Sequence, residues 1–574
     1  MHPANGNSKI ENGKVLGVTL AGTAAALMLF SPIAGAQKPR FYPDDPIARV
    51  PYTQDASKVQ PKDVNLAYDE TTNLFGNPGD PNMNRRAQSI NTIDEVPDSS
   101  WFTNRILGGK PLSAEDVARG PNSGEGPAPG KWMVDAGKSD GVTPGFTIID
   151  SAGARWFIKF DPRDYREMMS GAEVTATKLF HALGYNVPEN HVTRLTRDML
   201  ELGERSKITS SDGAERQLTG ADIDRLLRMA AQESDGSYRV VASRAVDGKP
   251  VGPFLYHGTR PDDPHDIVPH EHRRELRGLR VFAAWTNHVD TKAINSLDTL
   301  VEQQGRTIVR HHLIDFGSTM GSASIKPREF DEGHHYIYDP GETLKGVLGL
   351  GLFYVPSFHL VDYPDLPAVG HFSADRFEPA EWKPRVPNPA FLRARPDDTF
   401  WGARRVMAFT DEMIRAAVRT GRYSDPAAEK HIADTLIARR DAIGRAWLPN
   451  VNPVVDPVLD GAGALKFVNA AVAAGVARAP ASYEVSFFTF DNATGASTAI
   501  GAPVTGSGEQ ITAPSGLPTA AGSFVRVQIK AVDAPHPSWS VPVQAYFTRD
   551  GSGWRLVGFE RLPDVATGPN SGTR

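Results

Sequence analysis

The stretch HEHRRELRGLRVFAAWTNHVDTKAINSLDTLVEQQGRTIVRHHLIDFG, His270 to Gly317, constrains the fold more than any other part of the chain. Its opening, as far as Val289, carries a helical pattern. Two apolar, strand-like runs follow, INSLDTLVEQ and TIVRHHLIDFG. They meet near Gln304-Gly305, which reads as the turn of a hairpin. Between helix and hairpin lies a short polar loop, Asp290 to Asn295. The second strand ends on Asp315, and Gly317 lets the chain turn just after it.

Other segments supply the elements around this one. Gly145 to Asp161 reads as two strands about a Ser-Ala-Gly turn. Glu167 to Tyr185 reads as a helix, with Ala172, Ala176, Leu179, Phe180 and Leu183 at helical spacing and Gly184 as its stop. ENHVTRLTRDML and GSYRVVASRAV add strands. Leu218 to Gln232 reads as an inserted helix that Thr219 or Asp222 could cap. Helices are predicted over 397–421 and 425–449, the second with Asp425 as cap and Pro426 in its first turn. ASYEVSFFTF, SFVRVQIKAV, VPVQAYFTRD and GWRLVGFERL alternate polar and apolar residues between turns, which predicts an all-β module, most simply a small sandwich.

At 574 residues the chain is too long for one ordinary domain. Residues 1–36 read as an export signal: Lys9 and Lys14 precede an apolar run from Val15 to Phe30, and Ala34-Gly35-Ala36 fits a small-x-small cleavage site. An uncleaved anchor is the alternative, but that run is shorter than the ~20 residues a spanning helix needs. The expected location is therefore periplasmic or extracellular, with no membrane span in the mature chain. The sequence has no Cys, which excludes disulfides and the processed N-terminal Cys of a lipid anchor. Residues 37–130 form an irregular extension with DSSWFTNRI as its apolar anchor. A core over 131–450 follows, divided near 265, then a linker over 451–463 and the all-β domain over 464–574. Net charge is −6 and no basic tract stands out, so there is no electrostatic footprint for nucleic acid.

Phosphoryl transfer needs a lid over the phosphates, a cation on them, oxygen ligands for a metal and a carboxylate at the attacking hydroxyl. The chain offers a candidate for each in order. Gly141 and Gly145 in SDGVTPGF would let backbone N–H groups approach phosphate. Lys159, on a strand among large apolar neighbours, is the cation, and Glu173 on the following helix could fix it, with Glu167 in reserve. Asp290 could orient a substrate hydroxyl, Lys292 steady the transferred group, and Asn295 turn back to a metal. Asp315 could chelate Mg²⁺. Each residue taken singly also reads as an ordinary turn, strand-edge or helix residue; their joint order makes the pattern.

Residues 138 to about 325 resemble the protein kinase-like fold. The loop is similar to the His-Arg-Asp-x-Lys-x-x-Asn signature, and Asp315-Phe316-Gly317 to the metal-binding motif. The W-x-N-H-x-D-x-K-x-x-N context resembles the atypical branch, which includes persistence-toxin, phosphoinositide, spore-coat and secretory-pathway kinases. The resemblance implies an α+β, bilobal domain with an N-lobe over 131–265 and a C-lobe over 266–450. ATP with Mg²⁺ or Mn²⁺ would bind in the cleft. It implies that Lys159 holds phosphates, Glu173 positions Lys159, Asp290 is the catalytic base, and Asn295 and Asp315 bind metal. Val289 stands where typical kinases have Arg, no Ala-Pro-Glu follows, and Lys159 and Glu173 are only 14 residues apart.

Three functions fit the pattern: an exported phosphotransferase acting on a protein or small-molecule hydroxyl, a kinase-fold enzyme moving AMP or ligating an amino acid, and a catalytically silent envelope scaffold. The acceptor and the oligomeric state carry no sequence signal. His265, His270, His272, His311-His312 and His334-His335 invite a zinc reading. Adjacent strand residues face opposite ways, however, so structural or surface roles are expected for them.

Overall fold

The computed structural model describes residues 38–137, 145–209, 215–339, 344, 361–551 and 553–563. Residues 1–36, read above as an export signal, and Gly141 lie outside the described residues. Among the described residues no helix is long and apolar enough to cross a membrane.

The N-terminal extension contains two helices, α1 (Leu66–Phe75) and α2 (Ala114–Arg119). Asn65 caps the first by accepting from the Tyr68 N–H, and Ser113 and Asp116 cap the second reciprocally. The remainder has little regular structure and is held by buried side chains. Trp101 stacks on His311 with ring centroids 3.5 Å apart, and Phe102 packs on Tyr185 and Trp401. Arg274 lies 2.9 Å from Asp94 of the extension and 2.8 and 3.0 Å from Asp397 and Asp398. A buried guanidinium needs such partners to offset its lost hydration.

The first sheet has seven strands: β1 (Trp132–Gly137), β2 (Gly145–Ile149), β3 (Arg155–Phe160), β4 (Asn190–Leu195), β5 (Leu200–Thr209), β6 (Glu215–Gln217) and β7 (Tyr238–Arg244). Their order is β4-β7-β3-β2-β1-β5-β6; β1 and β5 are parallel, the other pairs antiparallel. Two helices interrupt the strands, α3 (Met168–Leu183) between β3 and β4, and α4 (Gly220–Met229) between β6 and β7. Strand alternation sorts the faces. Val240 and Ala242 of β7 join a core with Trp156, Ile158 and Ile223, whereas Val241 packs with Met169 and Val174 of α3. Lys159 pairs in register with Val241 and so points toward α3.

The second sheet joins β8 (Lys249–Gly252) to a hairpin of β9 (Ser296–Gln303) and β10 (Arg306–Leu313). Gln304 and Gly305 turn it with φ of 52° and 74°, the left-handed pair a two-residue hairpin turn demands. Helix α5 (Arg274–Thr286) precedes it, shorter than the sequence pattern because 270–272 form a separate 3₁₀ turn. The helices that follow are α6 (Pro389–Leu392), α7 (Pro396–Met407), α8 (Asp411–Arg419) and α9 (Pro426–Trp447). The single helix predicted over 397–421 is thus two: the first ends at Met407, with Ala408 closing it, and Thr410 caps the second, its hydroxyl accepting from the Met413 N–H at 3.2 Å.

After α9 the chain is mostly strand. Val454–Leu459, Ala464–Asn469 and Gln510–Thr512 form a three-stranded sheet. Ser482–Phe490, Phe524–Val532, Val543–Asp550 and Gly553–Glu560, with short strands at 497–499 and 504–506, form a six-stranded one. Residues 451–463, read from their Pro and Gly content as a linker, therefore contain a buried strand. Asp456, at φ 51°, and Pro457 sit at its bulge and hide the alternation. One buried cluster runs from Trp101 and Phe102 through α3, α5, α7 and α9 to Tyr483, Val527 and Val543.

Trp101 is 5% exposed and has the Arg273 guanidinium 4.4 Å from its ring. Trp101→Ala is expected to lower the unfolding free energy by about 3–5 kcal/mol in urea titrations of the whole chain.

Candidate functional site

Seven residues separate the end of β3 from the start of α3, and Glu167 turns the corner with φ 68°. Asp161 steadies this junction by accepting from the Ser170 N–H at 2.9 Å. Because the helix starts so soon, a spacing of 14 residues suffices to bring Glu173 beneath Lys159: Nζ lies 2.9 Å from Glu173 Oε2. It lies 2.8 Å from Asp315 Oδ1 as well. Burial alone would lower the Lys159 pKa; the two carboxylates outweigh it and hold the ammonium charged. Glu173 is itself fixed, its Oε1 accepting from the Phe316 N–H at 3.1 Å and from Asn190 Nδ2 at 3.3 Å. Glu167 plays another part, accepting from the Ser424 N–H.

The hairpin register brings the other carboxylates close. Ser296 pairs with Leu313, and the Ile314 N–H donates to the Asn295 carbonyl at 3.0 Å. Asp315 follows at once with φ 61°, a left-handed conformation that Asp tolerates better than most residues. It turns the carboxylate back to Lys159. Phe316 is fully buried against Phe180 and His288.

Asn287 ends α5 in the left-handed region at φ 49°, and Arg439 donates to the last carbonyls of that helix, Ala284 and Trp285. The loop beyond is braced on itself. Asn295 Nδ2 donates to the Asp290 carbonyl at 2.8 Å and to Asp290 Oδ2 at 3.0 Å. Lys292 Nζ lies 2.9 Å from Asp290 Oδ1. Burial would raise the Asp290 carboxyl, but Lys292 and Arg328 outweigh it and hold it below the ordinary range. Lys159, Glu173, Asp290, Lys292, Asn295 and Asp315 therefore form one constellation.

Gly145 opens β2 opposite Lys159, and a Cβ there would stand 2.2 Å from the Ile158 carbonyl oxygen, so strand packing by itself requires a glycine. The histidines are distributed among separate contacts. His311 meets Asp298 at 2.7 Å, His312 meets Thr299, His270 meets Asp266, and His272 meets Asp80. Among the described residues no group of three or more His, Asp or Glu is set to hold a metal ion.

Two contributors lie outside the sequence reading. Glu70, on α1 of the extension, places Oε1 2.9 Å from Lys292 Nζ. Asn190, the first residue of β4, links Glu173 to Thr177. Neither stands in a motif, and no local signal marks them; only the folded chain brings them in.

No protein-family model matches the chain, and no curated protein matches it. Among solved structures it resembles atypical kinases. The Helicobacter pylori proinflammatory kinase CtkA is 12% identical, over 54% of this chain and 93% of that one, with a TM-score of 0.29. The Golgi casein kinase is 10% identical, over 71% and 95%, with a TM-score of 0.30, both alone and with Mn/ADP bound.

Burial drives the His288 ring, between Phe316 and Phe180, down to about 4, against the pull of Asp290. The unfolded chain binds the extra proton near pH 6.5, so stability is full above that value. It should fall by about 1.4 kcal/mol per pH unit as pH drops from 6.5 toward 4. In NMR titrations the His288 ring signals should stay flat from pH 8 to about pH 5; a midpoint near 6.5 would contradict its neutral, buried state.

Proposed function

We propose that the chain is an exported kinase-like phosphotransferase that moves the γ-phosphoryl group of ATP to a protein or small-molecule hydroxyl. The observation that carries this reading is the Lys159 ammonium held by Glu173 and Asp315, with Asp290 and Asn295 one hydrogen bond away along the backbone. In this reading the seven-stranded sheet with α3 is one lobe and the segment from α5 to α9 the other. The strands after 454 form a separate β domain, and the leader directs the chain to the periplasm or beyond.

The charges favour a nucleotide accompanied by a divalent cation. Lys159, Lys292 and Arg328 stand against Glu173, Asp315, Asp290 and Glu70, three cations against four carboxylates. A bare triphosphate would meet net negative charge there. Asp315, whose side chain is 41% exposed, offers a hard oxygen ligand of the kind Mg²⁺ and Mn²⁺ take. Among the described residues the Asn295 Oδ1 accepts no hydrogen bond, since Nδ2 makes the contacts to Asp290, so it can serve beside Asp315.

Bound ATP would supply the phosphoryl group and the cation would neutralise its oxygens. Lys159 grips the phosphates and stays put because Glu173 is itself pinned. Asp290, held ionised, orients the acceptor hydroxyl and takes its proton as the new O–P bond forms and ADP departs. Lys292 faces the transferred group from Asp290's other side.

The purified mature chain should transfer or release label from γ-labelled ATP with Mg²⁺ or Mn²⁺. Asp315→Ala should abolish the signal, and Asp290→Asn should lower its rate by about 10²–10⁴-fold with nucleotide binding kept. Transfer of label from the α position would indicate AMP transfer instead. Failure of ATP to shift the melting temperature with either metal would remove both readings.

A further inference from the structure

Beside α3, the helices α2, α3 and α8 border a recess of about 550 Å³. That volume lies within the ~300–1,000 Å³ usual for small-molecule sites. The wall belongs to the same helix as Glu173, but Lys178 is five residues on, about 140° round the axis. The two side chains serve different faces.

Lys178 is 1% exposed, and its Nζ donates 2.9 Å to the Arg119 carbonyl. Among the described residues it makes no ion pair. Gly120, at φ 55°, passes so close that a Cβ would lie 2.6 Å from Lys178 Cδ, so the backbone is shaped to admit the side chain. Burial drives the ammonium down to about 7, with Glu189 opposing. A buried amine without a carboxylate is costly unless something else compensates it.

Two further buried atoms of the wall, Asn122 Oδ1 and Asn190 Oδ1, have no hydrogen-bond partner, and His191 Nε2 lies 3.7 Å from Glu189 Oε2. Asn122 Nδ2 lies 3.2 Å from His191 Nδ1, an arrangement that makes Nδ1 the acceptor and leaves the proton on Nε2. The recess thus offers one donor, Lys178, and two amide acceptors. Lys178, Arg119, Arg419 and Arg422 give it four cations against the carboxylates of Glu115, Glu125 and Glu189.

We propose that this recess is a second ligand site, for a small hydroxylated phosphomonoester. Its phosphate meets Lys178 and the arginines, and its hydroxyls donate to Asn122 and Asn190. Asn190 carries the consequence across the helix. Its Nδ2 contacts Glu173 at 3.3 Å and Thr177 at 2.7 Å, so a ligand on its Oδ1 engages the same amide that steadies the Lys159 partner. The site itself stands whether or not the cleft transfers phosphate; only this coupling rests on that reading.

Calorimetric titration of the full chain with glycerol 3-phosphate, and with inorganic phosphate as the comparison, tests the assignment without any activity readout. Glycerol 3-phosphate should bind, and more tightly than the inorganic ion. Lys178→Met should weaken it by about tenfold or more, the loss expected of a charge-assisted hydrogen bond. Arg419→Glu, a change at an exposed position, should weaken it several-fold. No binding, or an affinity insensitive to Arg419→Glu, would overturn the site. Equal affinity for inorganic phosphate would overturn the ester assignment.

Discussion

A single ammonium, Lys159 Nζ, holds three parts of the molecule together: the strand it grows from, α3 through Glu173 at 2.9 Å, and the end of the hairpin through Asp315 at 2.8 Å. Such a triad forms only where each part arrives with its side chain facing inward. Strand alternation turns Lys159 to the face that carries Val241 and α3. A short junction with a left-handed corner at Glu167 starts the helix close enough for Glu173. Asp315 must itself adopt φ 61°. Two uncommon backbone conformations are thus tolerated where they serve one ion cluster, as strained positions in folded proteins tend to be.

The second half of the site is built by local hydrogen bonds more than by charge. The end of α5 is capped by Asn287 and by Arg439 from α9, which leaves the loop from His288 onward no helical continuation. Asn295 folds back on Asp290, and the hairpin sets Ile314 against Asn295. The two segments therefore meet through a backbone hydrogen bond as well as through their side chains.

Much of this was legible because periodicity and turn chemistry act over short range. The hairpin at Gln304-Gly305, the helix after β3 and the cap at Asp425 all announce themselves locally. What escaped detection depends on distant neighbours. The strand at 454–459 is disguised by Asp456 and Pro457, and the break at Thr410 by an apolar pattern that continues across it. At Gly145 the neighbouring strand's carbonyl also requires a glycine, a contact the sequence does not show. Helix α1, with only Asp69 buried, has too little apolar face to show in the sequence. The site residues with motif neighbours were visible, whereas Glu70 and Asn190 became visible only through contacts at sequence separations of 222 and 17.

Glu70 gives the extension more than a structural part. The segment that anchors the molecule through Trp101 also places a carboxylate on Lys292, which already serves Asp290 at the same 2.9 Å. Lys292 is thus shared between a partner in its own loop and one on α1. The partners differ in their hold: Asp290 is braced by Asn295, while Glu70 is 31% exposed at its side chain on a helix whose Tyr68 and Phe75 face solvent. An ion pair with an exposed partner is the weaker of two such contacts. An anionic group arriving at Lys292 would therefore compete with Glu70 more readily than with Asp290.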